Sequence, residues 1–184
     1  MNIRNKNGKE RVIGDLHFFD PNIIEISGRP FKSVDEMNEH MINEWNSVTE
    51  EHDTVIVNGD FIDFRYCTQE QGYSIINRLN GDIVLIVGTH DKPFLPILKT
   101  ISSGIEVIEY PILKDEFWII SHEPQFVSMA SPYANVFSHV HTNPMYNDVS
   151  PRSFCTSAER LGYKPIEWEA VKRAVLNYKG KGCV

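Results

Sequence analysis

A chain of 184 residues, 41% hydrophobic and 23% charged, has the length and balance of one ordinary soluble globular domain (residues 1–184) that buries a core without staples. Its formal net charge of -7 argues against a broad basic surface for nucleic acid, but leaves a nucleotide substrate open, because bound cations would reverse the charge inside a carboxylate-rich site. Cys67, Cys155 and Cys183 are too few and too widely spaced for a disulfide framework, no apolar run approaches the roughly 20 residues of a membrane span, and the polar, basic start from Met1 to Arg11 has no signal-peptide core, so the expectation is a reduced, cytoplasmic protein.

In chain order, Arg11 to Gly14 is a short apolar run that stops at Asp15, a buried strand ending in a loop. Ser33 followed by Glu36 has the form of a capping box. Val34, Met37, Met41, Ile42 and Trp45 then recur at helical spacing, which predicts an amphipathic helix from Ser33 to Ser47. Asp53 to Val57 is a second strand, ending at Asn58-Gly59-Asp60. Gln69 to Leu79 reads as a helix with Ile75, Ile76 and Leu79 inward. Asp82 to Val87 is the most strand-like run and ends at Gly88; Glu106 to Ile108, Phe117 to Ser121 and Asn135 to Phe137 are further strands. Ile166 to Leu176 closes the pattern as a helix, or a strand and a helix, and the tail from Asn177 to Val184 is expected to fray. Alternating strands and helices predict an α/β layered fold.

Polar residues with chemical potential sit at the ends of these strands: Asp15, Asp60, His90, His122 and His139 all lie there. Loops held by a rigid sheet are where such folds place their chemistry. The chain has 7 histidines, and a single one beside an apolar run is ordinarily a packed or solvated residue. Two close pairs, Asp15-x-His17 and His139-x-His141, change that reading. Residues i and i+2 of an extended segment point to one side, so each pair offers two ligands to one space. Imidazole and carboxylate together suit divalent transition ions.

These residues also carry a resemblance. Gly14-Asp15-Leu16-His17, Gly59-Asp60-Phe61-Ile62-Asp63, Gly88-Thr89-His90-Asp91, Ser121-His122-Glu123-Pro124 and Ser138-His139-Val140-His141 resemble, in order, the five motifs of the calcineurin-like metallophosphoesterases. Ser157 to Pro165 is similar to the end of small bacterial and phage members. The resemblance implies two packed β-sheets flanked by helices, a four-layer sandwich, with two divalent metals at the strand ends. Manganese is the favoured ion, with iron, zinc or nickel as alternatives. It implies that Asp15, His17, Asp60 and His141 hold one metal, and that Asp60 bridges to a second held also by His122, His139 and Thr89. His90 would act on the leaving oxygen as general acid or hydrogen-bond donor, with Asp63 orienting its imidazole. The implied reaction is hydrolysis of a phosphate ester by a hydroxide shared between the metals, with a phosphodiester or nucleotide favoured as substrate.

The chain departs from the motif pattern at Thr89, where the family has Asn, and at Ser138, where it has Gly. A threonine hydroxyl is a shorter and weaker ligand than an amide oxygen, so a weakened second metal is expected. The rival readings are a metal-binding or partner-binding module without activity, and a structural protein with a histidine-rich surface. Among the remaining residues, His40 and His52 read as solvated. Arg65 reads equally as a phosphate contact or a surface ion pair, and Phe18 and Phe19 as pocket wall or core. Trp45, Trp118 and Trp168 read as packing residues, and Cys155 is not a nucleophile.

Overall fold

In the computed structural model, which describes residues 8–100, 105–128 and 130–178, the apolar runs of the sequence become two sheets. The elements in chain order are β1 (Glu10–Ile13), α1 (Asn22–Ile26), α2 (Val34–Asn46), β2 (Thr54–Val57), α3 (Gln69–Arg78), β3 (Asp82–Ile86), α4 (Leu95–Leu98), β4 (Ile105–Ile108), β5 (Ile112–Lys114), β6 (Trp118–Ile120), β7 (Ala134–Phe137), β8 (Val149–Ser150), β9 (Ser153–Cys155), β10 (Ile166–Glu167) and α5 (Trp168–Leu176). A short 3₁₀ turn, Lys92–Phe94, precedes α4. Cys183, most of the tail expected to fray and the first seven residues of the basic start lie outside the described residues.

The first sheet has the order β10-β1-β2-β3-β4, with β1 to β4 parallel and β10 antiparallel to β1. Its central strands read as unbroken apolar runs because both faces are covered. One face presents Ile13, Val55, Val57, Ile83 and Leu85 to α2 and α3, whose inward residues include Met37, Met41, Trp45, Ile75 and Ile76. The other presents Val12, Ile56, Val84 and Ile86 to Trp118, Ile120, Val136 and Phe154 of the second sheet. That sheet is mixed, with the order β5-β6-β7-β9-β8. The helix α5 touches β1 and β10 of one sheet and β8 and β9 of the other, and buries Trp168, Val171 and Val175 in the core between them. The architecture is therefore α/β, two packed sheets flanked by helices.

The helix α2 starts where the sequence places it, with the Ser33 hydroxyl accepting from the Glu36 N–H at 3.2 Å. The reciprocal bond differs: the Glu36 carboxylate accepts from Lys32 N–H, one residue earlier. A full capping box forms instead at Thr68 and Gln71, ahead of α3. The short strands β5, β8 and β9 carry too few residues for a period to show in the sequence. Register is what matters for the site. Ile13 lies opposite Val57, and Val57 opposite Leu85, so the loops after β1, β2 and β3 leave the sheet side by side. In the second sheet Ile120 lies opposite Val136, which brings out the loops after β6 and β7 together.

Candidate metal centre

The loops that leave β1, β2 and β7 turn sharply at the residues that carry the chemistry. Asp15, His17, Asp60, His139 and His141 all have left-handed backbones, with φ of 56, 51, 53, 71 and 46°. A side chain with a Cβ pays roughly 1–2 kcal/mol for that conformation, so the surroundings must hold it. They do so by crossed hydrogen bonds. Asp15 N–H donates to Gly59 O at 3.0 Å and His17 N–H to Asp60 O at 2.9 Å. His139 N–H donates to Asp15 Oδ1 at 2.9 Å, and His90 N–H to Asp60 Oδ1 at 2.8 Å. Asp91, fully buried, accepts from the N–H groups of Asp60, Phe61 and Gly88 at 2.8–3.0 Å. Burial and the nearby Asp60 charge push the Asp91 carboxyl up to about 6, against the pull of those three donors.

Two triads result. Asp15, His17 and His141 offer ligand atoms within 4.8 Å of one another, and so do Asp60, His122 and His139. Asp60 links them: its Oδ2 lies 3.5 Å from His17 Nε2 and 3.2 Å from His122 Nε2. Asp15 Oδ2 and both ring nitrogens of His17 are buried without a hydrogen-bond partner among the described residues. Leaving such atoms unpaired in a dry site is costly unless a cation takes them. The electrostatics agree. Burial disfavours charge on His17 and His122, yet Asp60 beside both, with Asp20 beside His17, raises each imidazole to about 9. Burial also opposes the Asp60 charge, but those two imidazoles hold its carboxyl well below the usual range. A metal entering the centre would replace those protons as the positive partner of Asp60. Imidazole and carboxylate donors grouped about one aspartate, with unpartnered buried ligand atoms in the first triad, fit divalent cation binding.

The imidazole of His122 is set by its back. Its Nδ1 lies 3.1 Å from Asn58 O and 3.1 Å from Ser138 Oγ, so Nδ1 carries the proton and Nε2 faces Asp60. Ser138 Oγ also donates to Asn58 O. The serine that departs from the motif thus braces a candidate ligand, and Gly14 makes room for it, since a Cβ there would lie 2.6 Å from the Ser138 side chain. Gly59 has φ +85°, and a Cβ on it would sit 2.2 Å from His122 Nδ1. Thr89 Oγ1 stands 3.4 Å from Asp60 Oδ2, at the edge of the second triad.

His141 is braced by residues to which the sequence reading gave no role. Its Nδ1 lies 3.0 Å from Glu159 Oε1. Arg29 Nε donates to the same oxygen at 2.8 Å, and the guanidinium also donates to Leu16 O at 2.8 Å and Asp15 O at 2.6 Å. One buried arginine therefore ties the β1 loop to the β7 loop. Burial opposes the Glu159 charge, but His141 and Arg29 hold its carboxyl down at about 2. Arg160 donates to the carbonyls of His141, Asn143 and Tyr146, pinning the chain that follows. Polar residues some 20 positions past the last histidine carry no local pattern that marks them; Ser157 to Pro165 was notable only by resemblance.

His90 sits at the rim, its side chain 39% exposed, with its ring 4.7 Å from that of His17. The expected direct support from Asp63 is not what the structure places there. Asp63 Oδ2 is 3.8 Å from His90 Nδ1, and Arg65 stands between, its Nη2 2.8 Å from that nitrogen and its fork on the Asp63 carboxylate. A further grouping of His17, Asp20, Asp63 and His90 shares this carboxylate, already neutralised by Arg65. The remaining side chains resolve simply. Phe18 is core, packed on Phe61; the three tryptophans are buried; Cys155 is buried, its thiol pushed up by burial. His52 is solvated as expected, but His40 is half-buried between Phe31 and Tyr163, because the loop carrying Tyr163 folds over α2.

Among the described residues, no helix is long and apolar enough to cross a membrane. No family model matches the sequence. An uncharacterized protein of Methanocaldococcus jannaschii, MJ1445, is 31% identical over 174 residues, covering 92% of each chain. The crystal structure of AQ665, a protein of unknown function from Aquifex aeolicus, matches with a TM-score of 0.65 at 22% identity, over 91% of this chain and 99% of that one, and so shares its fold. A nuclease of Pseudomonas putida, MPE, matches with a TM-score of only 0.48 at 23% identity, over 72% of this chain and 61% of its own, too remote to bear on activity.

Proposed function

This chain belongs to the family of the M. jannaschii protein MJ1445, and we propose that it is a metal-dependent phosphoesterase of the calcineurin-like type. The observation that carries this reading is the carboxylate of Asp60, which joins its own triad with His122 and His139 to a second triad in which Asp15 Oδ2 and both His17 ring nitrogens are buried without hydrogen-bond partners among the described residues. Asp15, His17, His141 and Asp60 would hold one divalent ion, and Asp60, His122, His139 and the Thr89 hydroxyl a second. When bound, such a pair supplies Lewis acidity that neutralises phosphoryl oxygens and lowers the pKa of water.

The chain's own residues do the rest. Asp60 holds its two oxygens apart, one anchored by His90 N–H, the other turned to the imidazoles. Asn58 and Ser138 keep the His122 ring in one tautomer, and Glu159 does the same for His141. His90, at the solvent rim beside the first triad, donates a hydrogen bond to the departing oxygen. A phosphodiester or nucleotide is the favoured substrate, by resemblance of the motifs. Manganese-loaded protein should hydrolyse a chromogenic phosphodiester or monoester, and Asp60→Ala should lose both the metal and the rate. Retention of stoichiometric metal but no turnover of either substrate would instead support a binding module.

A further inference from the structure

Beside His90 lies a cavity of about 320 Å³ lined by Arg65, Thr89, His90, Pro93 and Phe94. Arg65 is the guanidinium in its lining. Arg65 is gripped from behind: Nε and Nη2 fork onto the Asp63 carboxylate, which is itself buried. The guanidinium face rests 5.5 Å from the Tyr66 ring. Nη1 makes no hydrogen bond to the described residues, and 48% of the Arg65 side chain is exposed. A guanidinium fixed through Nε and Nη2, with Nη1 left to solvent, presents a held cationic donor to a phosphate or carboxylate oxygen.

The bond to His90 adds a second constraint. Arginine has only donors, so its contact with His90 Nδ1 makes that nitrogen the acceptor and leaves the ring proton on Nε2. His90 Nε2–H, at the cavity wall, is then the ring's hydrogen-bond donor. An exposed guanidinium N–H beside an imidazole N–H suits a leaving oxygen that departs with negative charge. In-line displacement then fixes the side. The shared carboxylate of Asp60 lies at the buried floor of the centre, while His90 and Arg65 stand at its exposed rim, where a leaving group departing opposite an attack from the floor would emerge.

Building on the phosphoesterase reading, we infer that Arg65 and this cavity form the leaving-group subsite, and that the substrate is a phosphoanhydride whose leaving group is itself a phosphate. In the reaction a water oxygen bonds to phosphorus. The bond from phosphorus to the bridging oxygen breaks with its electron pair on that oxygen, and the water proton passes to solvent. The departing phosphate leaves as an anion against Arg65 Nη1 and His90 Nε2–H. Pro93 and Phe94 would accept an apolar substituent on it.

The test compares wild type, Arg65→Ala and Arg65→Lys, all manganese-loaded, in turnover of adenosine diphosphate and p-nitrophenyl phosphate. The expected result is that Arg65→Ala lowers the ratio of kcat/KM for the diphosphate over the aryl ester by about 10–100-fold, the effect of one charge-assisted pair, with Lys intermediate. An unchanged ratio would overturn the inference, placing Arg65 on the transferred phosphoryl group or on His90 alone. Binding decides separately. At constant free manganese, imidodiphosphate should bind wild type more tightly than orthophosphate does, and Arg65→Ala should narrow that gap by a similar factor. A gap that is absent or insensitive to Arg65 sinks the subsite. Absence of turnover by wild type on every substrate, with the binding gap intact, sinks the phosphoesterase reading instead.

Discussion

At the scale of single residues, Thr89 and Glu159 make the sharpest statements. The Thr89 hydroxyl reaches only to 3.4 Å from the Asp60 carboxylate, a weak hydrogen bond at best. An asparagine there extends its oxygen one bond further and carries more negative charge on it. Thr89→Asn should therefore bind the second equivalent of manganese about 10–100-fold tighter, by analogy with the size of other changes around metal ligands, and should raise activity at limiting metal. A manganese titration followed by heat and by rate checks this; equal affinity for both equivalents in the native protein, unchanged by Asn, makes Thr89 silent. Glu159 speaks to stability. Its folded-state carboxyl is lowered from 4.5 to about 2, so its charge stabilises the fold above pH 4.5 and that contribution disappears as the pH falls towards 2. In the metal-free protein, Glu159→Gln should cost on the order of 2–3 kcal/mol at pH 7, and the difference should shrink between pH 4.5 and 2. Denaturant titrations of both proteins across that range measure it; a difference that does not change with pH would show that the Glu159 charge contributes nothing.

At the scale of elements, the centre depends on loops whose backbones are strained and whose glycines are spaces for other side chains. Gly59 occupies a left-handed turn, and any Cβ there would strike His122. Gly59→Ala should destabilise the metal-free protein by about 2–4 kcal/mol, from strain and displacement together, and should cost more at the second metal equivalent than at the first. Thermal unfolding and manganese binding read these two effects apart; equal weakening of both equivalents would contradict the placement of His122 in one triad only. The same loops explain what the sequence made legible. Strand ends followed by Asp and His are visible in a string of residues, because period and punctuation are local. So Asp15, His17, Asp60, His90, His122, His139 and His141 could be named from the sequence, and the structure brings them to one edge of the sheets. The bracing residues were not legible, because their meaning is set by distance in space. Arg29 lies on the turn after α1, far from His141 in sequence, yet meets it through Glu159. Asp63 was legible as a neighbour of the centre, but not that Arg65 would intervene between it and His90.

At the scale of the molecule, two sheets converge so that β1 and β2 of one and β6 and β7 of the other empty their loops into one space. An isolated bridge between Gly14 and Ser157 ties the loop after β1 to the loop after β9. Asp15 and Asp60 come from one sheet, His122, His139 and His141 from the other, and neither sheet alone completes a triad. The carboxylates of the centre, in a chain of net charge -7, would be offset by the cations proposed there. Asp60 is proposed to be shared between two metal ions. The most direct test is a crystal structure of manganese-loaded protein with anomalous scattering recorded. Two anomalous peaks are predicted, about 3.5–4 Å apart, both against the Asp60 carboxylate, one beside Asp15, His17 and His141 and the other beside His122 and His139. A single peak at saturating manganese, or two peaks of which only one contacts Asp60, would contradict the account.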